Sequence, residues 1–507
     1  MDKPPNDGPR CRSRRFSAIW PALILFFAAA GASSTALAFD LKERVKEFTL
    51  PNGLKVIVLE RSGSPIFAAH ITFKVGSVEE RTGYSGAAHM LEHMLFKGTT
   101  NVGTRDWPSE KPLLEKVNEA GEELDNAVRD GAGEAKIKEL REKLKSAEAE
   151  HKQYIVSESY SKIYSAEGGV GHNAGTSKDT TNYIIRLPAN KLELWARLES
   201  DRMKNPVLRE YYSERDVVME ELRRSYLNDP QGKLYEKFLD TAYSSHPYGR
   251  PIIGREKEIA TLPISEVERF LKAWYAPNNA VITIVGDVKF HEVRDVIVTY
   301  FASIPRVKLP DRISTVEPAQ EKGRRVDVEF DASGEVMMGF HKPVFPHPDD
   351  AAFTVIDGLL SAGRTGRFDK NIVRGKKAAL SVGTFQAPGD RYPNLFIISG
   401  EPRPPKSTAD VEKAVWEELE LLKKTPVAAK ELEKVKNNIE ADFIRGLVSH
   451  YGMARLLAHY EVVTGDWRNI LKELEMIKGV TTTDVQRVAK KYFVRGNLTV
   501  GTLVKKK

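Results

Sequence analysis

The sequence predicts a chain of mixed α and β structure, built as two halves on one plan. Short apolar strands bounded by Gly, Pro and Asn alternate with longer amphipathic helices. The order strand, strand, helix, strand, helices, strand runs once before residue 304 and again after residue 324. Between them, Ile304 to Gly323 is rich in Pro, Arg and Lys and reads as a linker. With 41% hydrophobic and 29% charged residues, the balance is that of an ordinary globular protein.

The first forty residues stand apart. Arg10, Arg12, Arg14 and Arg15 form a basic region, Ala18 to Ala32 is apolar, and Ala36-Leu37-Ala38 reads as a small-x-small cleavage site. We read 1–38 as a secretory signal peptide, 39–303 as the first half, 304–323 as the linker and 324–507 as the second half. An uncleaved anchor is the competing reading, but the apolar run is short for a span of about 20 residues. Residues 1–38 hold five basic and two acidic side chains, so of the formal charge of +7 only +4 remains after cleavage. That gives no case for nucleic acid binding. The one cysteine, Cys11, lies in the leader and precedes the apolar run, so it is not placed to carry a lipid. The mature chain would have no thiol, which leaves any metal site to His and carboxylate ligands. The expectation is an exported protein, periplasmic in a Gram-negative bacterium, with no stable membrane span after cleavage.

In the first half, Pro51-Asn52-Gly53 is a turn, and Leu54 to Leu59 and Phe67 to Val75 are strands. Gly83 to Gly86 leads into a helix. From about Arg105 to Ile155, Leu113, Leu114, Val117, Leu124, Val128, Ile137, Leu140 and Leu144 recur among Glu, Lys and Ala. Gly131-Ala-Gly133 interrupts them, which predicts a helical hairpin whose charges form a solvated face. Gly168 to Gly175 is glycine-rich but fits neither a Walker loop nor a dinucleotide fingerprint. Thr180 to Leu187 reads as a strand and Lys191 to Met203 as a helix. Ser213 to Tyr226 is a further helix, ended by Asn228-Asp-Pro230. On it Glu214 and Glu221, seven apart, share a face, with Val217 and Val218 packed beside them. Glu220 reads as solvated, and so would Glu221 taken alone. His246 to Pro251 is a loop, Ile264 to Tyr275 and His291 to Tyr300 are helices, and Ala280 to Val285 is a buried strand.

In the second half, Val326 to Phe330, Glu335 to Phe340, Leu395 to Gly400 and Asn497 to Val504 are strands. Asp350 to Leu360, Val411 to Lys424, Ala429 to Thr464 (with a break near Gly446 or Gly452) and Thr482 to Tyr492 are helices. Its histidines, His341, His347, His450 and His459, show no ligand spacing.

One stretch carries chemistry. His89-Met90-Leu91-Glu92-His93 puts two imidazoles four residues apart on one helical face, with a carboxylate between them. Two such histidines can share a zinc ion at about 2.0–2.1 Å per nitrogen, and the carboxylate is placed to take a proton from water. Met90, Leu91, Met94, Leu95 and Phe96 surround this face, and burying its polar groups is costly unless a metal or partners satisfy them. A core helix with two satisfied histidines is the plainer alternative, but H-x-x-E-H is the order of the inverted zincin signature.

The chain resembles the M16 peptidases, the inverzincin family of pitrilysin, insulin-degrading enzyme and the mitochondrial processing peptidase. The resemblance covers nearly the whole mature chain. It rests on Leu50-Pro-Asn-Gly-Leu54, Gly86-Ala-Ala-His-Met-Leu-Glu-His-Met-Leu-Phe-Lys-Gly-Thr99, Asn173-Ala174, Glu214-Arg-Asp-Val-Val-Met-Glu-Glu221, His246-Pro-Tyr-Gly249 and Tyr275-Ala-Pro-Asn-Asn-Ala280. It implies an α+β fold, two homologous halves each with an antiparallel sheet flanked by helices, closing around a peptide. It implies one Zn2+ per chain on His89, His93 and Glu221, with Glu92 as general base and Glu214 supporting the site. It also implies that Asn173 and Ala174 lie on an edge strand that pairs with an extended peptide; a turn beside Gly175 is the alternative for Asn173. Glu221 follows His93 by 128 positions (221 − 93), beyond the family's usual gap, and the hairpin accounts for the excess as an insertion. A passive surface insertion is the simplest reading of it, with a lid or docking role open. Two halves would make half a chamber, so the resemblance implies a homodimer or a heterodimer with a related chain. Tyr451 and Arg455 are candidates for a substrate-binding pair by helix position alone. The expected activity is zinc-dependent hydrolysis of peptides or small unfolded proteins. A catalytically silent or partner-dependent subunit and a precursor-specific maturation peptidase are the alternatives.

Overall fold

The computed structural model describes residues 41–505. The leader expected at 1–38 lies outside the described residues. Residues 41–44 form a helical turn, and the chain from Val45 onward folds as one unit.

The first half opens with a hairpin, β1 (Val45–Thr49) and β2 (Lys55–Glu60), then β3 (Ile66–Phe73) and α1 (Ala87–Met94). Gly53 takes the left-handed conformation (φ 90°) that the hairpin turn requires. The insertion follows as α2 (Trp107–Arg129) and α3 (Glu134–Lys152), then α4 (Ser159–Ala166). The edge hairpin β4 (Val170–Thr176) and β5 (Thr181–Pro188) leads to α5 (Leu192–Lys204), α6 (Tyr211–Leu222), α7 (Pro230–Ala242) and α8 (Ile264–Trp274). Strand β6 (Ala280–Gly286) and α9 (Phe290–Phe301) complete this half, whose sheet has the order β1-β2-β6-β3-β5-β4.

The second half repeats the plan with β7 (Arg324–Phe330), β8 (Glu335–Lys342), α10 (Pro348–Ser361), β9 (Ala379–Ala387) and β10 (Asn394–Pro402). Helices α11 (Thr408–Lys424), α12 (Ala429–Gly446), α13 (His450–Thr464), α14 (Asn469–Gly479) and α15 (Thr482–Tyr492) precede β11 (Leu498–Lys505). Its sheet order, β7-β11-β8-β10-β9, matches β2-β6-β3-β5-β4 strand for strand. Each sheet is antiparallel except for one parallel pair, β2 with β6 and β7 with β11. In the position of α1 stands α10, which has no histidine.

The halves are interlocked. Helix α7 of the first half lies on β7 and β11, and α13 of the second lies on β3 and β6. Glycines in the second sheet make the first of these fits possible: a Cβ at Gly339 would meet the Phe238 ring of α7 at 2.5 Å. Covered by α13 and contributing Ile282 and Ile284 to the core of its own half, β6 is buried along its whole length.

Several elements differ from the sequence reading. The Asn228-Asp-Pro230 signal starts a helix instead of only ending one: Asp229 accepts the Gly232 N–H at 2.6 Å and Pro230 occupies the first turn of α7. Helices α4 and α14 and edge strand β9 are also additional. The break expected in the long helix falls between Gly446 and His450, where Ser449 caps α13 through the Gly452 N–H at 2.9 Å. Val217 does not pack beside Glu214 and Glu221; it is 52% exposed, while Val218 is buried.

Candidate metal centre

Helix α1 starts at Gly86, whose left-handed backbone (φ 93°) turns the chain sharply into the helix. The Glu80 carboxylate caps this start, accepting the N–H groups of Gly86 (3.0 Å) and Ala88 (2.8 Å). Burial pushes the Glu80 carboxyl up to about 8, against the pull of those bonds and of Lys178 and Arg250. Met90, Leu91 and Met94 anchor the apolar face in the core. The opposite face carries His89, Glu92 and His93.

Helix α6 crosses α1 and brings Glu214 and Glu221 to the same place. The His89 and His93 Nε2 atoms face Glu221 Oε2 at 4.0 and 3.6 Å. One ligand atom from each of the three residues lies within 4.8 Å of the others, the one such group among the described residues. Both separations exceed a hydrogen bond, so these atoms do not satisfy one another. Ligands about 2.0–2.1 Å from a tetrahedral zinc lie roughly 3.3–3.4 Å apart, so the three groups would draw together to seat the ion. Two imidazoles and a carboxylate, with no thiol, fit zinc.

The surroundings prepare these groups. Glu214 Oε1 lies 2.9 Å from His93 Nδ1, and Lys97 Nζ lies 2.5 Å from Glu214 Oε2. An N–H donated from Nδ1 leaves the Nε2 lone pair of His93 free toward Glu221. Burial raises the Glu214 carboxyl, but bonds to His93 and Lys97 outweigh it and bring it down to about 2. Burial likewise lowers His93, but the carboxylates of Glu214, Glu92 and Glu221 more than reverse this and raise it. Burial and the neighbouring His93 take His89 down to about 4. Glu92 is raised by burial and by Glu221, and its Oε2 accepts the Thr176 hydroxyl at 2.6 Å. Thr176 and Glu80 both escaped the sequence reading; neither sits in a spacing pattern with the motif.

Asn173 and Ala174 lie in β4, the outer strand of the sheet, and not in a turn. A cavity of about 330 Å³ opens beside Glu92 and His93, lined also by Asn173, Glu158 and Ser161. The Tyr451 ring lies 5.1 Å from that of His70 in β3. Glu220 is solvated and pairs with Arg223 at 3.3 Å.

The charges of the insertion are not all solvated, contrary to the sequence reading. Glu110 and Asp125 of α2 and His151 of α3 are buried. Glu110 pairs with the fully buried Arg209 (2.5 Å) and lies 3.0 Å from His151 Nε2. Asp125 grips Arg215 through both oxygens at 2.6 and 2.9 Å. Tyr212 sits against Gly121, where any side chain would strike its ring. Thus Arg209, Tyr212 and Arg215, at and just before the helix carrying Glu214 and Glu221, hold the hairpin.

Residues 55–128 match the family model "Insulinase (Peptidase family M16)", and 261–439 match "Peptidase M16 inactive domain". Over 471 residues, 91% of this chain and 93% of the other, the sequence is 30% identical to a protein of Helicobacter pylori named zinc protease PqqE. A crystal structure of a protease from Helicobacter pylori superposes with a TM-score of 0.76 at 28% identity, covering 91% of this chain and 99% of that one. The periplasmic protease PqqL from Escherichia coli shares the fold, with a TM-score of 0.67 at 16% identity, over 91% of this chain and 48% of that one.

Proposed function

We propose that this chain, which belongs to the M16 (insulinase) family of peptidases, is a zinc-dependent endopeptidase that hydrolyses peptides or small unfolded proteins. The observation that carries the reading is the convergence of His89, His93 and Glu221 beside the partly buried carboxylate of Glu92.

His89, His93 and Glu221 would hold the ion. Zinc, when bound, supplies a Lewis acid that polarises the scissile carbonyl and eases ionisation of water. Glu92 takes the proton of the attacking water and returns it to the leaving amine. Thr176 holds one oxygen of Glu92, which aims the other. Glu214 sets the tautomer and ring angle of His93. The free edge of β4 pairs with the backbone of an extended substrate, and the side chain of Asn173 faces the adjoining cavity.

The test is metal content together with cleavage of internally quenched peptides. The purified chain should hold one zinc and lose cleavage with a chelator, and Glu92→Gln should cut kcat by at least about a thousandfold while zinc stays bound. Cleavage that survives both chelation and Glu92→Gln would sink the proposal.

We take the working unit to be two chains, identical or related, closing over the site. Glu221, 34% exposed, and the exposed Val217 on the same helix support that reading. Native mass measurement with and without substrate decides it. Export, with removal of 1–38, is part of the proposal; no helix among the described residues is long and apolar enough to cross a membrane. Profiling against unrelated peptides separates a general peptidase from one devoted to a single precursor.

A further inference from the structure

The two edge hairpins of the molecule, β4–β5 and β9–β10, meet at their tips. The first tip is the turn at 177–180, closed by Ser177 N–H to Thr180 O at 2.8 Å. The second is 388–393. Asp179, buried in the first tip, accepts the Tyr248 hydroxyl at 2.7 Å and the backbone N–H groups of Asp390 (2.7 Å) and Arg391 (3.2 Å). The Arg391 guanidinium donates to the Asp179 carbonyl at 3.0 Å and to Glu79 at 2.9 Å. Glu79, whose side chain is 1% exposed, also takes Arg312 at 2.6 Å. A Cβ on Gly389 would run into Tyr248 Oη and Asp179, so the second tip is seated without a gap.

Three residues before Asp179 is Thr176, whose hydroxyl holds Glu92 at 2.6 Å. Between them Lys178, fully buried, donates to the Arg250 carbonyl and faces Glu80, the cap of α1. A tight turn transmits displacement, because it has few soft torsions to absorb it.

We propose that the tip of the second half's edge hairpin is a latch that positions the general base: Asp390 and Arg391 hold Asp179, and through the 177–180 turn they hold Thr176 against Glu92. Arg391 is therefore a positioning residue, supplied by the half that has no zinc motif. Its effect on turnover rests on the peptidase reading; the latch itself does not.

The test compares Arg391→Ala with Glu47→Ala. Glu47 of β1 also ties the halves, accepting Trp467 Nε1 (2.8 Å) and Arg468 (3.0 Å), but at the opposite edge of the first sheet. Hydrogen exchange over 170–181 should rise about tenfold in Arg391→Ala and stay within about twofold in Glu47→Ala. Arg391→Ala should lower kcat about tenfold with KM nearly unchanged and zinc content intact, whereas Glu47→Ala should lower only the melting temperature. Equal exchange over 170–181 in the two variants, or an equal fall in kcat, overturns the latch. Should the unaltered chain cleave nothing, the peptidase reading fails and exchange alone decides the latch. If Arg391→Ala does not fold, Gly389→Ala is read in the same way.

Discussion

At the scale of single residues, the site is organised by side chains outside the His89, His93 and Glu221 cluster. Thr176 stabilises the charged form of Glu92, opposing the burial that raises it. In Thr176→Val the Glu92 pKa therefore rises further, and the acid limb of kcat/KM should move up by about one pH unit. A pH–rate profile of the two proteins checks this; an unmoved limb would show that the hydroxyl does not act on the base. Glu214 raises His93. Metal needs neutral His93, so affinity is full above the raised pKa and falls about tenfold per pH unit below it. Replacing Glu214 by Gln should weaken zinc binding about 10–100-fold at neutral pH and shift that fall to lower pH, since His93 then titrates nearer its ordinary value. Chelator competition across pH measures both.

At the scale of elements, the hairpin α2–α3 and helix α6 act as one piece. Arg209 and Arg215 would be left buried without counter-charges if the hairpin were cut out. Breaking a buried pair costs about 3–5 kcal/mol, so losing both approaches the whole stability of a domain. Deleting 105–155 should yield insoluble chain, and a folded, zinc-binding deletion would favour the passive reading. A milder probe is Gly121→Ala, which drives a methyl into the Tyr212 ring. It should destabilise by about 1–3 kcal/mol, read as a lower melting temperature, and should weaken zinc binding as α6 shifts. The same hairpin ends at the residues that line the cavity beside Glu92.

At the scale of the whole molecule, neither half is self-sufficient. Removing the second half strips α13 from β3 and β6 and leaves α7 without its sheet. Large apolar areas would then face water. Residues 39–303 made alone should be insoluble, and co-production with 304–507 should recover them. The intact chain should melt in one transition, which calorimetry can check by comparing the calorimetric and van't Hoff enthalpies. Two separate transitions would mean that the halves fold independently.

Some of this was legible in the chain and some was not. His89, Glu92 and His93 were readable without any tertiary information, because a helix places i, i+3 and i+4 on one face by its pitch alone. The strands β2, β3, β5 and β6 were readable from their apolar runs, and the interruption before α13 from its glycines. Helix α7 was not, since Asp-Pro both stops one helix and starts the next, and only packing on the other half's sheet shows that the second helix forms. Glu221 looked like any solvated helical glutamate, and family resemblance alone singled it out. Thr176, Glu80, the buried Glu110–Arg209 pair and the Arg391–Asp179 contact join residues from 6 to 212 positions apart. Local periodicity carries no information on such pairs. The pitch of one helix puts His89, Glu92 and His93 on a single face whatever the rest of the chain does; that Glu221 approaches the two histidines and that Thr176 holds Glu92 follows only from packing, because chain separation is erased only when the sheets and helices come together.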